Sequence, residues 1–167
     1  MKHDNSETRL NRRRDAIGLV AFLLICLLVS GIGGLVTATS VGGWYTTLSK
    51  PAFNPPDWVF APVWTILYIL MAIAAWRVWR TEGSASRLQA LTLFGLQLAL
   101  NLFWSILFFG FREVGLALAD ILVLWSAIAF TAFLFWRIEH LAGWLLFPYL
   151  LWVAFAAALN LSIWLLN

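Results

Sequence analysis

Five long stretches of this chain hold no ionisable residue, and that pattern constrains the fold more than any motif does. Residues 16–49 contain no Asp, Glu, Lys, Arg or His, and the same holds for 58–76, 88–111, 121–136 and 141–167. A helix needs about 20 apolar residues to cross a bilayer core of roughly 30 Å. The gaps therefore predict spans over about 16–39, 58–78, 87–109, 114–136 and 141–166, the fourth including Asp120. Inside lipid every backbone polar group must be bonded internally, so each span must be an α-helix. The expected fold class is all-α, a polytopic five-transmembrane-helix bundle. It forms a single domain over 16–167 behind a disordered basic tail, 1–15.

Composition agrees, with 62% apolar and 11% charged residues where a soluble domain is nearer a quarter charged. The net charge of +3 is spread in a way that argues against nucleic acid. Lys2, Arg9, Arg12, Arg13 and Arg14 precede the first span, Arg77, Arg80 and Arg87 follow the second, and Arg137 follows the fourth. Five crossings place these segments on one side, which then holds nine of the 11 basic residues; Lys50 and Arg112 face the other way. The positive-inside rule predicts a cytoplasmic N-terminus and an outside C-terminus. A bacterial inner membrane is expected on this asymmetry, with an outer membrane as the alternative. The Arg12–Arg14 cluster reads as a topogenic charge that also meets anionic lipid. The single Cys26 permits no intramolecular disulfide. The first span is longer than a signal-peptide apolar region and is expected to be a retained helix.

Four of the five prolines, Pro51, Pro55, Pro56 and Pro62, fall between Trp44 and Tyr68. Proline fixes φ and disfavours helix in the residue before it, so this stretch predicts a stiff proline-rich loop between helices 1 and 2. Asp57 then sits near the start of the next helix, where the macrodipole favours a carboxylate. The other connections are a few residues long, so successive helices should be antiparallel neighbours.

Eleven tryptophans are the main compositional oddity. Trp76, Trp79, Trp136, Trp144, Trp44, Trp58 and Trp164 fall near span ends, as an aromatic belt requires. Trp64, Trp104, Trp125 and Trp152 lie deeper. At a rise of about 1.5 Å per residue, Trp64 and Trp104 lie ~9 and ~10 Å below the outer ends of their spans, and Trp152 lies ~20 Å down the fifth. Three rings under one loop are candidates to line a shared cavity. Gln97, Asn101 and Trp104 share a helix face at i, i+4 and i+7. Asn160 reads first as interhelical glue. Asp120, the one carboxylate well inside a span, is a functional candidate by default. Enzyme signatures are missing: His3 and His140 lie in the tail and in a loop, so no metal site is expected, and no phosphate loop or nucleophile elbow occurs.

These blocks resemble a known family. WY-x2-L-x-KP-x-F-x-PP-x-WVF-x-PVW-x2-LY at 44–68, QLALN-x2-W-x3-FFG at 97–110, ALAD at 117–120 and PYL-x-W-x-AFA-x2-LN at 148–160 occur in the order found in the TspO/translocator family. The resemblance covers about residues 16–166. It implies a five-helix bundle, a homodimer in the lipid bilayer, that binds porphyrins such as protoporphyrin IX and haem as ligands and requires no cofactor. By that resemblance Trp64 and Trp152 match two pocket tryptophans implicated in light-dependent porphyrin breakdown. Trp58, Asn101 and Trp104 match further pocket positions, and Ala156, with its neighbours Leu159 and Asn160, a small residue against the ligand. Trp44, Phe53 and Tyr68 of the loop block complete the expected ligand-binding set. Phe53 stands where the family often has Trp, which keeps an aromatic ring without an indole donor. The expected function is a tetrapyrrole-binding membrane receptor or sensor acting in porphyrin regulation, transport or stress response. The alternatives are a light-dependent porphyrin-degrading enzyme, with Trp64 and Trp152 catalytic, and a small-molecule transporter.

Overall fold

The structure, a computed structural model, describes residues 3–167, with side chains from Asn11 onward. Its secondary structure is all-helical, with no strand among the described residues. Helix α1 runs His3–Val41, a single turn α2 spans Trp44–Thr47, and a 3₁₀ turn over Asp57–Val59 leads into α3, Phe60–Arg80. Helix α4, Arg87–Ser105, widens into a π-helical turn over Ile106–Gly110, and α5, Val114–Ile138, is followed by α6, His140–Leu166. Five of these segments are long and apolar enough to cross a membrane, as the charge-free gaps require.

The tail departs from expectation. Where disorder is expected over 1–15, helix is already formed at His3 and continues without a break into the first span; Met1 and Lys2 lie outside the described residues. Helix initiation is the costly step and extension is cheap. The four Arg, the Glu and the Leu of the tail are good helix formers and extend the turn that the span has nucleated, against the weaker propensity of its Asp, Asn, Ser and Thr.

Helices α5 and α6 form the most extensive pair, joined through Glu139 alone. Their close approach depends on Gly143, where an added Cβ would lie 2.5 Å from Trp136 Cβ and 2.7 Å from its Cα. Glu139 caps α6, its carboxylate accepting from Ala142 N at 2.7 Å, and it takes a two-pronged hydrogen bond from Arg77 at 2.8 and 2.9 Å. One side chain thus fastens α3, α5 and α6 at that end. Pro148 sits inside α6, which a membrane helix tolerates when neighbouring groups take up the freed carbonyl.

At the opposite end the π-turn opens the backbone ladder, and Ser40 Oγ of α1 donates to the Phe109 carbonyl at 2.6 Å. The turn into α5 places a non-glycine residue, Arg112, in the left-handed region at φ 61°. Helix α1 crosses the bundle obliquely. Near its N-terminal end it lies on α3, where Gly18 meets the Trp79 ring and Trp76 Nε1 donates to the Asp15 carbonyl at 2.9 Å. Toward its C-terminal end it lies on α4 and the π-turn, with Gly33 against Ser105 and Val36 against Gly110. Diverging from α3 along its length, α1 leaves a space open between them.

Candidate functional site: a tryptophan-lined cavity

That space is a cavity of ≈ 410 Å³ at the end of the bundle that carries the α1–α3 connection. Its volume falls in the range of roughly 300–1,000 Å³ that small-molecule sites occupy. Eight of the expected ligand-binding residues line it: Trp64 and Tyr68 from α3, Asn101 and Trp104 from α4, and Trp152, Ala156, Leu159 and Asn160 from α6. The heptad-like spacing of Asn101, Trp104 and Phe108 turns one face of α4 and its π-turn toward the space. Trp104 stacks on Phe108 at 5.3 Å, while Trp64 packs on Tyr68 at 5.9 Å and edge-on to Tyr149 at 6.2 Å.

Three expected residues stand off the wall. Trp44 packs behind it, edge-on to Phe108 at 5.7 Å. Phe53 is half exposed and touches Phe155, which itself packs on Trp152. Trp58 is 74% exposed, because the 3₁₀ turn points it away from the bundle. Of the four deep tryptophans, Trp125 is also turned outward, 39% exposed on α5.

The floor is a buried polar chain. Tyr68 Oη donates to Asn101 Oδ1 at 2.5 Å, Asn101 Nδ2 donates to Tyr149 Oη at 3.0 Å, and Tyr149 Oη donates to Gln97 Oε1 at 2.9 Å. Three helices are joined by groups that would be costly to bury singly. Tyr149 is fully buried, and the sequence reading, which quotes it only within a motif, gives it no role. Nearer the loop, Trp104 Nε1 donates to Asn160 Oδ1 at 3.0 Å, and Asn160 Nδ2 to the Val114 carbonyl at 2.9 Å. Two buried polar atoms have no partner among the described residues: Trp152 Nε1 and Asp120 Oδ2. Trp152 is on the cavity wall; Asp120 is not.

At the mouth, Asp57 supplies a carboxylate, and Tyr45 lies 4% exposed with its hydroxyl donating to Asn54 Oδ1 at 3.1 Å. Burial, and then the Asp57 carboxylate, push the Tyr45 phenol up to about 12, so it stays protonated and a donor. Lys50 Nζ sits 4.2 Å over the Tyr45 ring. This cation–π contact ties the lysine of the proline-rich segment to Tyr45, whose ring packs on Phe108 and Phe109 beside the cavity. In the sequence, Ser30, Gly31, Gly33 and Gly34 of the first span suggest close helix approach and a bend, not the cavity wall that three of them form. Ser30, Gly34 and Ala38 recur every four residues and line the cavity opposite Ala61 and Thr65; that spacing of small residues was the available signal. Among the described residues no cluster of three or more His, Cys, Asp or Glu is placed to hold a metal.

Residues 22–165 match the TspO/MBR family. The chain belongs to that family. It is 44% identical over 155 residues to the tryptophan-rich protein TspO of Chlorobaculum tepidum, covering 92% of this chain and 98% of that one. It is 41% identical over 143 residues to the translocator protein of Sus scrofa, covering 82% and 85%. The tryptophan-rich sensory protein of Cereibacter sphaeroides is 40% identical over 148 residues, covering 89% and 90%. With five apolar helices of spanning length, this TspO/MBR family member is an integral membrane protein.

Proposed function

We propose that this protein binds a tetrapyrrole, protoporphyrin IX or haem, in the tryptophan-lined cavity, and acts as a porphyrin receptor or sensor of the membrane. The observation that carries this reading is the wall itself. Trp64, Trp104 and Trp152 come from three different helices onto one ≈ 410 Å³ space, and a flat apolar macrocycle gains most from stacking on such faces. The unpartnered Trp152 N–H is a donor held ready for an acceptor on the ligand. Among the described residues the wall offers neither His nor Cys, so a porphyrin would be held by stacking rather than by the usual axial nitrogen or sulfur ligand. The name of the Cereibacter sphaeroides relative, tryptophan-rich sensory protein, is consistent with a sensing role. The charge asymmetry supports a cytoplasmic N-terminus, which turns the cavity mouth to the outside.

Titration of protoporphyrin IX into the purified protein, read by tryptophan quenching in the dark, tests the reading. Saturable binding at micromolar concentration or tighter, weakened in Trp152→Ala, is expected. Binding that is absent, or equal in that variant, overturns it. The same titration under illumination separates binding from breakdown. A porphyrin spectrum that bleaches only in light, and only when Trp64 and Trp152 are intact, would make the protein an enzyme.

A further inference from the structure

A second groove, of ≈ 640 Å³, lies at the other end of the bundle between α1 and α3, far from the tryptophan-lined cavity. The geometry points to a binding site for one anionic phospholipid, its phosphate at Arg13 and Arg14 and one acyl chain along the groove. Below the two arginines the walls are apolar: Ile17, Ala21 and Ile25 from α1, with Trp79 from α3. The absence of a side chain at Gly18 lets the Trp79 ring lie directly on α1, since an added Cβ would collide with it. Phe22 closes the far side of that ring edge-on at 6.4 Å.

Length and charge select the occupant. Arg13 and Ile25 are twelve residues apart on one helix, or ~18 Å along its axis. Half of a bilayer's hydrocarbon core is about 15 Å, so the groove runs from headgroup level to near the midplane, the reach of one acyl chain. Among the described residues no carboxylate lines it. Of the nearby acids, Asp15 is turned to Arg80 at 3.9 Å, while Glu82 pairs with the rim itself, 3.3 Å from Arg14. Glu82 offsets one of the two rim charges, which leaves a net positive rim. Arg14 is also oriented, its Cζ 5.3 Å over the Trp79 ring. Basic pockets between membrane helices hold anionic headgroups in this way.

The test is thermal unfolding of the full-length protein in detergent, with added phosphatidylglycerol, phosphatidylcholine of the same acyl chains, or inorganic phosphate. Phosphatidylglycerol at a hundredfold excess over its Kd should raise Tm by about 5–10 °C, with little effect from the other two. The rise should vanish in the Arg13→Gln/Arg14→Gln double variant. It should also vanish in Ala21→Trp, or the milder Ala21→Leu, which fill the groove without changing charge. Glu82→Gln should lower the phosphatidylglycerol concentration needed. An equal rise with phosphatidylcholine overturns the proposal, as does a full rise in both Ala21 variants, which would mean surface charge alone. A matching rise with inorganic phosphate would mean an anion site without a lipid, and overturns it too.

Discussion

Trp104 Nε1 donates to Asn160 Oδ1 across 3.0 Å, and this one bond spends the indole donor of Trp104 inside the protein. Trp152, on the same cavity wall, keeps its donor unpaired. The two tryptophans therefore answer differently to substitution. Asn160→Ala strands the Trp104 N–H and the Val114 carbonyl together, and should lower stability. Interhelical hydrogen bonds in membranes average about 0.6 kcal/mol each and reach ~1.7, so a loss of about 1–3 kcal/mol is expected by denaturant titration. Trp152→Phe removes a donor that no described residue uses. Its stability should stay within ~0.5 kcal/mol of the parent while porphyrin affinity falls. A Trp152→Phe protein as unstable as Asn160→Ala would assign Trp152 to packing.

Asn101 holds the centre of the polar floor, accepting from Tyr68 and donating to Tyr149. Gln97 is at its end, accepting from Tyr149 and reaching only the Met71 sulfur beyond, at 4.0 Å. Asn101→Leu should therefore cost more than Gln97→Leu. The first leaves two tyrosine hydroxyls short of a partner and the second one. With about 1–3 kcal/mol for each stranded buried group, the gap between the variants should be near that size. Equal losses would show that Tyr68 finds another acceptor.

The five spans were legible because charge is so costly in lipid that its absence marks the helices directly. Trp64, Asn101, Trp104 and Trp152 were legible because tryptophan and amide side chains are rare at depth, whereas Tyr68, Ala156, Leu159 and Asn160 came only through the family resemblance of their motifs. Trp58 and Phe53 were not legible, since a turn between helices decides which way their rings point, and no periodicity governs a turn. The α1 wall was hidden for another reason. Ser30, Gly34 and Ala38 carry no chemistry of their own and matter only because α1 diverges from α3, a tertiary fact. The helical start at His3 was missed because composition reports solvation, whereas extension from a formed helix is decided by its neighbour.

Glycines separate close approach from mere flexibility. Gly143→Ala would place a methyl 2.7 Å from the Trp136 backbone at Cα, and backbone in a paired hairpin has little room to give. A loss of about 1–3 kcal/mol is expected from such overpacking. Gly31 has nothing within 4 Å of an added Cβ, so Gly31→Ala should be neutral or gain up to ~1 kcal/mol from helix propensity. Thermal unfolding of the two variants side by side checks this. A Gly143→Ala protein with parental Tm would show that α5 and α6 can separate without penalty.

Acid should loosen the bundle at the Arg77 end. The Arg77 guanidinium, hydrogen-bonded to Glu139, holds that carboxyl below its ordinary value of 4.5, and the Ala142 N–H adds to the effect. A carboxyl lowered in the folded state binds a proton more readily once unfolded. Its stabilisation is therefore full above pH 4.5 and is lost as pH falls through the lower folded value. Protonation removes the charge from the pair with Arg77 and weakens the cap on α6 together, so α3, α5 and α6 lose a shared fastening. Glu139→Gln should lower Tm at neutral pH, retaining a weaker cap, and should flatten the fall of Tm between pH 5 and 3. Arg77→Gln should lower Tm less, since the Ala142 bond survives it. Tm measured across that pH range for the parent and both variants decides the point; an acid-induced fall of equal steepness in Glu139→Gln would move its origin to another carboxylate.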